Sequence, residues 1–171
     1  KAEYKTNNDL VINIAYTLSR KTQIQNDTEL VGMINTITRD DLYLKEQISH
    51  TSLAYLAMIV AEGNPYKRKG DVFETLENQI DIDSRGAFMG SRSGHVLYDY
   101  YETPIKNTAL LLKALVKDKR DNAILDKIVR WLLKSRSKDG AWGSTHNTLS
   151  VIDAFTDFLA WRKETESEFD L

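Results

Sequence analysis

The chain has 171 residues, 42% of them aliphatic or aromatic and 28% charged, with a net charge of −2, a composition that suits one globular core of ordinary size. No basic field is present to neutralise phosphates, and no apolar run approaches the roughly 20 residues of a membrane span, so neither nucleic acid nor a spanning role is expected. Cysteine is absent, which removes disulfides, thiolate nucleophiles and cysteine-bearing zinc sites from within the chain.

Helical periodicity runs through almost the whole sequence. Asn8 or Asp9 is placed to cap a first helix carrying Leu10, Ile14, Ala15 and Leu18, and a polar run over 20–26 ends it. Asp27 or Thr28 caps a second, with Leu30, Val31, Ile34 and Ile37 at spacings of three and four. Residues 40–48 read as a short helix or a connector. A third helix over 50–62 turns Leu53, Leu56, Ala57, Val60 and Ala61 inward and stops at Gly63, Asn64 and Pro65. Its partner over 66–80 has Val72, Phe73, Leu76 and Ile80 on one face, weakened in its first half by Gly70.

Residues 82–100 break the helical pattern. The segments 86–90 and 95–100 are expected to pair as a small β-ribbon, the second having period-two character. Helix returns at Thr103 and Pro104, an N-cap and a first-turn proline. Ala109, Leu112, Leu115 and Val116 then face inward, and Lys106, Lys113 and Lys117 are expected outside. Residues 121–161 form an αα-hairpin. Its first helix sets Ile124, Ile128, Trp131, Leu132 and Ser135 against Asp126, Arg130 and Lys134. Its second carries Val151, Ile152, Phe155, Phe158, Leu159 and Trp161, leaving Ser150, Asp153 and Asp157 as a narrow polar stripe, so an almost enclosed inner helix is predicted. The fold class is all-α, with about seven helices in antiparallel pairs recurring every ~40 to 60 residues, as in an α/α toroid or a solenoid.

In order along the chain, Tyr100-Tyr101-Glu102-Thr103, Ala109-Leu110-Leu111, Ile128-Val129-Arg130-Trp131-Leu132 and Gly140-Ala141-Trp142-Gly143-Ser144-Thr145 resemble the thioester-containing domain of the alpha-macroglobulin and complement family. The resemblance covers 99–163 closely and is architectural before that. His146 stands where glutamine is commonest in the family, and Asn147 where an acidic residue is frequent. The resemblance implies a partial α/α toroid, with residues 1–163 the C-terminal portion of the domain and 164–171 a tail leading into an adjoining module. A chain opening on Lys1 is read as a portion of a longer protein. Trp131, Gly140, Trp142, Gly143, Ser144, Thr145 and Thr148 are the family-motif positions, all expected to be structural.

Reactive family members use a Cys-Gly-Glu-Gln-type thioester, which nothing here matches. The resemblance therefore implies no catalytic, cofactor-binding or metal residue, and a scaffold role in a parent that traps proteases or tags surfaces. Its implied partners are proteases or surface targets met through the parent and the adjoining domains; the implied location is secreted or periplasmic. A cut ring also implies exposed apolar surface on the helix over 148–161, hence self-association. The rival reading is a toroid enzyme acting on isoprenoids or glycans, for which Asp153 and Asp157, four apart on one helix face, are the available acids. Asp81 and Asp83 with Gly86 have the outline of a calcium loop, but Arg85 and Arg92 fall where oxygen ligands are required. His50, His95 and His146 lack a partner at a telling spacing, and His146 reads as a capping or turn residue. Trp131, Trp142 and Trp161 read as core and turn aromatics.

Overall fold

The computed structural model describes residues 8–20, 28–39, 48–62, 68–91, 102–120 and 123–162. Among them are seven helices and one two-stranded antiparallel sheet. The chain divides into two compact units, 1–79 and 80–171. The first contains α1 (Asn8–Ser19), α2 (Thr28–Arg39), α3 (His50–Ala61) and α4 (Lys69–Glu77). The second contains β1 (Ile80–Ile82), β2 (Ala87–Met89), α5 (Pro104–Lys117), α6 (Ile124–Lys134) and α7 (Thr145–Arg162). The predicted connector over 40–48, except Ile48, and the stop signal at 63–65 lie outside the described residues.

In the first unit α3 is buried on nearly every side, and its start is held by a polar cluster. Ser49 caps it by accepting the Ser52 N–H. Asp9 of α1, 4% exposed, accepts from both the Ser49 N–H at 2.9 Å and the Ser49 hydroxyl at 3.0 Å. Asn13 donates to the Ser52 hydroxyl at 3.2 Å. Asp9 thus serves the start of α3 and not that of its own helix, and this sets how α1 is turned about its axis. Asp9, Ile12, Ala15 and Ser19 face the core, while Leu10, Ile14 and Leu18, expected inside, are 49%, 49% and 43% exposed. Buried side chains of α2 (Leu30, Ile34, Ile37) and α4 (Val72, Phe73, Leu76) follow the predicted faces. Helix α4 ends at Glu77, short of the expected residue 80, because Ile80 is drawn into a strand.

That strand corrects the expected ribbon. β2 forms where predicted, but it pairs with the upstream segment, in the register Ile80 to Met89, Asp81 to Phe88 and Ile82 to Ala87. A tight reversal from Asp83 to Gly86, closed by hydrogen bonds of 2.9 and 3.2 Å between their backbones, makes that neighbour the immediate partner. The other expected strand, 95–100, lies outside the described residues.

The enclosed helix of the second unit is α5, not α7. It packs against α6, α7 and β2 together, so every side chain from Lys106 to Val116 is buried. Lys106 and Lys113, predicted outside, are each 8% exposed, and only Lys117 meets that expectation. Burial pulls the Lys106 ammonium below the usual lysine range, opposed by the charge of Glu102. Burial has the same effect on Lys113, but hydrogen bonds and attraction from Asp153 and Asp157 outweigh it and raise the value. Helix α7 buries Asn147, Val151, Ala154 and Phe158, whereas Leu149, Ile152 and Leu159 are 65%, 52% and 38% exposed.

The two carboxylates facing Lys113 are about half exposed and can rehydrate if the lysine is removed, whereas the ammonium cannot. Lys113→Met is expected to cost at most ~1 kcal/mol, and the double change Asp153→Asn with Asp157→Asn about 3 kcal/mol or more, because it strands a buried cation. Chemical denaturation of the two variants decides; equal losses would show that the ion pair contributes no more than packing.

Candidate functional site

Three turns of the second unit meet around one cavity, and each is built from short-range chemistry. The first is the β1–β2 reversal. Asp83 accepts from the Arg85 N–H at 2.8 Å and the Gly86 N–H at 3.2 Å through one oxygen. Its other oxygen takes the Arg85 guanidinium at 2.8 and 3.0 Å and the Trp131 indole N–H at 3.2 Å. Partial desolvation raises the Asp83 pKa, but the donors from Arg85, Trp131 and Gly86 prevail and bring it down to about 2. The carboxylate that has the outline of a calcium ligand in sequence is therefore occupied by protein donors. Gly86 has no substitute here, since a Cβ would lie 2.2 Å from the Lys127 carbonyl oxygen of α6.

Across that close contact lies Trp131, 3% exposed on the buried face of α6. Phe88 stacks on its ring at 5.0 Å, and the Arg85 guanidinium sits 4.7 Å from its centroid, a cation–π arrangement. Arg85 also reaches the Ser135 hydroxyl at 3.3 Å.

The second turn joins α6 to α7. Gly140 and Gly143 have φ of +87° and +80°, which L side chains adopt only with strain, and this lets the chain double back. Trp142 then folds onto the end of α6, where its indole N–H donates to the Leu132 carbonyl at 2.7 Å, satisfying an oxygen near the helix terminus. Its backbone N–H goes to the Thr148 hydroxyl at 3.1 Å, and Phe155 meets its ring edge-on at 6.1 Å. Ser144 accepts the Asn147 N–H at 3.1 Å and so caps α7. Thr145 opens the helix on the exposed side.

The third turn is the start of α5, where Thr103 accepts the Lys106 N–H. Asn147 joins the two helix starts: its carbonyl oxygen accepts from the Thr103 hydroxyl at 2.8 Å and its amide donates to the Trp142 carbonyl at 3.2 Å. An aspartate could accept from Thr103 but could not donate to Trp142, which gives a physical reason for the amide at a position that is often acidic in the resembled family.

The cavity between these turns measures about 770 Å³. Arg85, Phe88, Trp131, Trp142, His146 and the first turns of α5 and α7 are among the residues that line it, with Trp131 and Trp142 themselves almost wholly buried. His146 is exposed, and the capping role expected of it belongs to Ser144. Partial burial lowers its pKa, as does the nearby charge of Lys106, and both favour the neutral ring. Arg85 and Phe88 had no signal in sequence, being 46 and 43 positions from Trp131 and brought to it only by the hairpin. Asp153 and Asp157 are not at the cavity but on Lys113. His50 belongs to the first unit, with its ring 3.1 Å from Gln79, and His95 lies outside the described residues. Trp161 is half-buried near the end of α7, tilted against Phe158 and beside Arg162. Among the described residues no group of three or more acidic or imidazole side chains is arranged to hold a metal ion.

The paired helices with a minor two-stranded sheet define a helical-hairpin protein of the α/α toroid class. The family model for the A-macroglobulin TED domain matches residues 13–158, and the chain belongs to that family. No curated protein shows a significant match.

Two expectations test this geometry. Trp142→Ala should destabilise the second unit by about 3–5 kcal/mol, the usual range for a buried indole, and an unchanged thermal midpoint would show that the turn does not depend on it. Asp83 has a folded pKa of about 2, below its unfolded value near ~3.9, so its contribution is full above about pH 4 and is lost as pH falls towards 2. Denaturation across that window should show a larger loss in the wild type than in Asp83→Asn, where Asp139, whose pKa is also lowered, still titrates; parallel curves would contradict it.

Proposed function

We propose that this chain is a non-catalytic scaffold portion of a TED domain, acting within a macroglobulin-like parent that traps proteases or tags surfaces. Residues 1–163 belong to the C-terminal portion of that domain, and 164–171 lead into an adjoining module. One observation carries the reading: Trp131, Trp142, Ser144, Asn147 and Thr148 at the motif are each engaged in hydrogen bonds within the fold, in a chain without cysteine. Trp131, Gly140, Trp142, Gly143, Ser144, Thr145 and Thr148 are then structural residues. The partners are proteases or surface targets, reached through the parent and its other domains, in a secreted or periplasmic setting. Among the described residues no helix is long and apolar enough to cross a membrane.

Leu149, Ile152 and Leu159 follow one another along α7 at spacings of three and seven, and they supply an apolar stripe for further helices of the domain. The same stripe favours self-association of the 171-residue chain alone, which light scattering reads directly. Asp153 and Asp157 are matched by Lys113, which removes the acids that an isoprenoid or glycan enzyme would use.

The test is made on the parent. Treated with an endopeptidase, it should retain protease that still cleaves small peptides but is shielded from large protein substrates, or become attached to a surface. Replacing Gly86 by valine, which forces the hairpin from α6, should reduce either outcome severalfold. A parent that does neither after cleavage, or hydrolytic turnover by the purified 171-residue chain, overturns the reading.

A further inference from the structure

A net charge of −2 hides an uneven distribution. The twelve residues 127–138 hold five of the chain's 23 lysines and arginines and none of its 25 acids, which leaves the remainder of the chain at −7. Lys127, Arg130 and Lys134 stand three and then four positions apart, on the face of α6 turned away from the buried Leu125, Ile128 and Leu132. Arg136 and Lys138 carry the row on into the following turn. All five are exposed, and among the described residues none of them makes an ion pair. The acids that bracket the row are engaged elsewhere. Asp126 accepts from Arg162 at 2.8 Å, and Asp139 accepts from the Ser137 hydroxyl and, at 3.1 Å, from the Ala141 N–H. The negative pole at the end of α6 favours the cations nearest to it, but its influence fades within the last turn. Lys127 and Arg130 lie further back, where like charges at these spacings only repel and weaken the helix.

The shape of the row selects its counterpart. From Lys127 to Lys134 it runs about 10 Å along one helix before the turn extends it, a line of charge and not a plane. A bilayer or a nucleic-acid duplex spreads its charge over a broad surface, where the acidic remainder of the chain works against binding. Leu133, 52% exposed, is the one large apolar side chain that α6 offers to lipid. Trp131 and Trp142 are buried, so neither is offered to a base. We propose that the outer face of α6 and the turn after it bind a linear sulfated polysaccharide, with Lys127, Arg130, Lys134, Arg136 and Lys138 paired to its sulfate groups. Charge-assisted contacts of this kind, and the counterions they release, supply the affinity. On the reading above, such a polymer is the surface that the parent tags; the row of charge itself does not depend on that reading.

The test uses the 171-residue chain and a heparin octasaccharide, beside its desulfated twin, a DNA duplex of equal total charge and phosphatidylserine vesicles. Calorimetry should show the octasaccharide bound with an affinity that falls with salt at a log–log slope of about 3 to 4, as five contacts to a single-stranded polyanion give. The desulfated twin should not bind, and the duplex and the vesicles should bind about tenfold more weakly or less. Replacing Lys127, Arg130 and Lys134 together by glutamine should lower the affinity about tenfold, and replacing Arg39, Lys117 and Lys119 together, an equal change in charge, should not. In the unaltered chain the backbone amide resonances of 127–138 should shift saturably with the octasaccharide, a measurement that serves equally should the first triple variant not fold. Equal losses in the two triple variants, a duplex or vesicle bound as tightly as the octasaccharide, or shifts confined to other segments would overturn the proposal. A parent that neither traps nor tags, while the chain still discriminates among these probes, refutes the scaffold reading and leaves the polysaccharide site standing. A parent that tags, with a chain that ignores the octasaccharide, does the reverse.

Discussion

Asn147 is the joint on which the second unit depends. One side chain accepts from the cap of α5 and donates to the carbonyl of Trp142, whose indole in turn closes the end of α6. Three helix termini are thereby referred to one another without a disulfide or a metal, and each would otherwise leave backbone groups to be satisfied by water. The first turn of α5 is half-buried at Thr103 and exposed at Pro104, and burial is complete only from Lys106 to Val116. Thr108 and Asn107 continue the pattern by bonding to Met89 and Gly90, which fixes the small sheet against the same helix.

The two units solve one problem in different ways. In the first, the polar cluster of Asp9, Asn13, Ser49 and Ser52 ties α1 to the start of the buried helix α3. In the second, the central helix carries its own charge inward, and α7 meets Lys113 with two acids. Both tie a buried helix to a neighbour through polar contacts between residues about 40 positions apart.

Family membership and the local chemistry bear on different questions. Membership accounts for the paired helices and implies a macroglobulin-like parent with other domains. The hydrogen bonds of Asp83, Trp142 and Asn147 are what the structure adds to that membership. Phe88 and Arg85 belong to the β1–β2 hairpin, within the residues 13–158 that match the family model.

Local signals were legible in the sequence because they act over a few residues: the cap at Thr103, the two glycines around Trp142, and the three-and-four spacing of α2 and α4 each specify their own turn. Tertiary structure decided what those rules leave free. It turned α1 so that Asp9 faces inward, buried Lys106 and Lys113, paired β2 with 80–82 and left one side of α7 open. The cavity is of the second kind, because its residues come from four separate segments and acquire common chemistry only when packing brings them together. A periodic pattern states that a helix has an apolar side; which neighbour covers it, and which charges are buried with it, depends on contacts between residues distant along the chain.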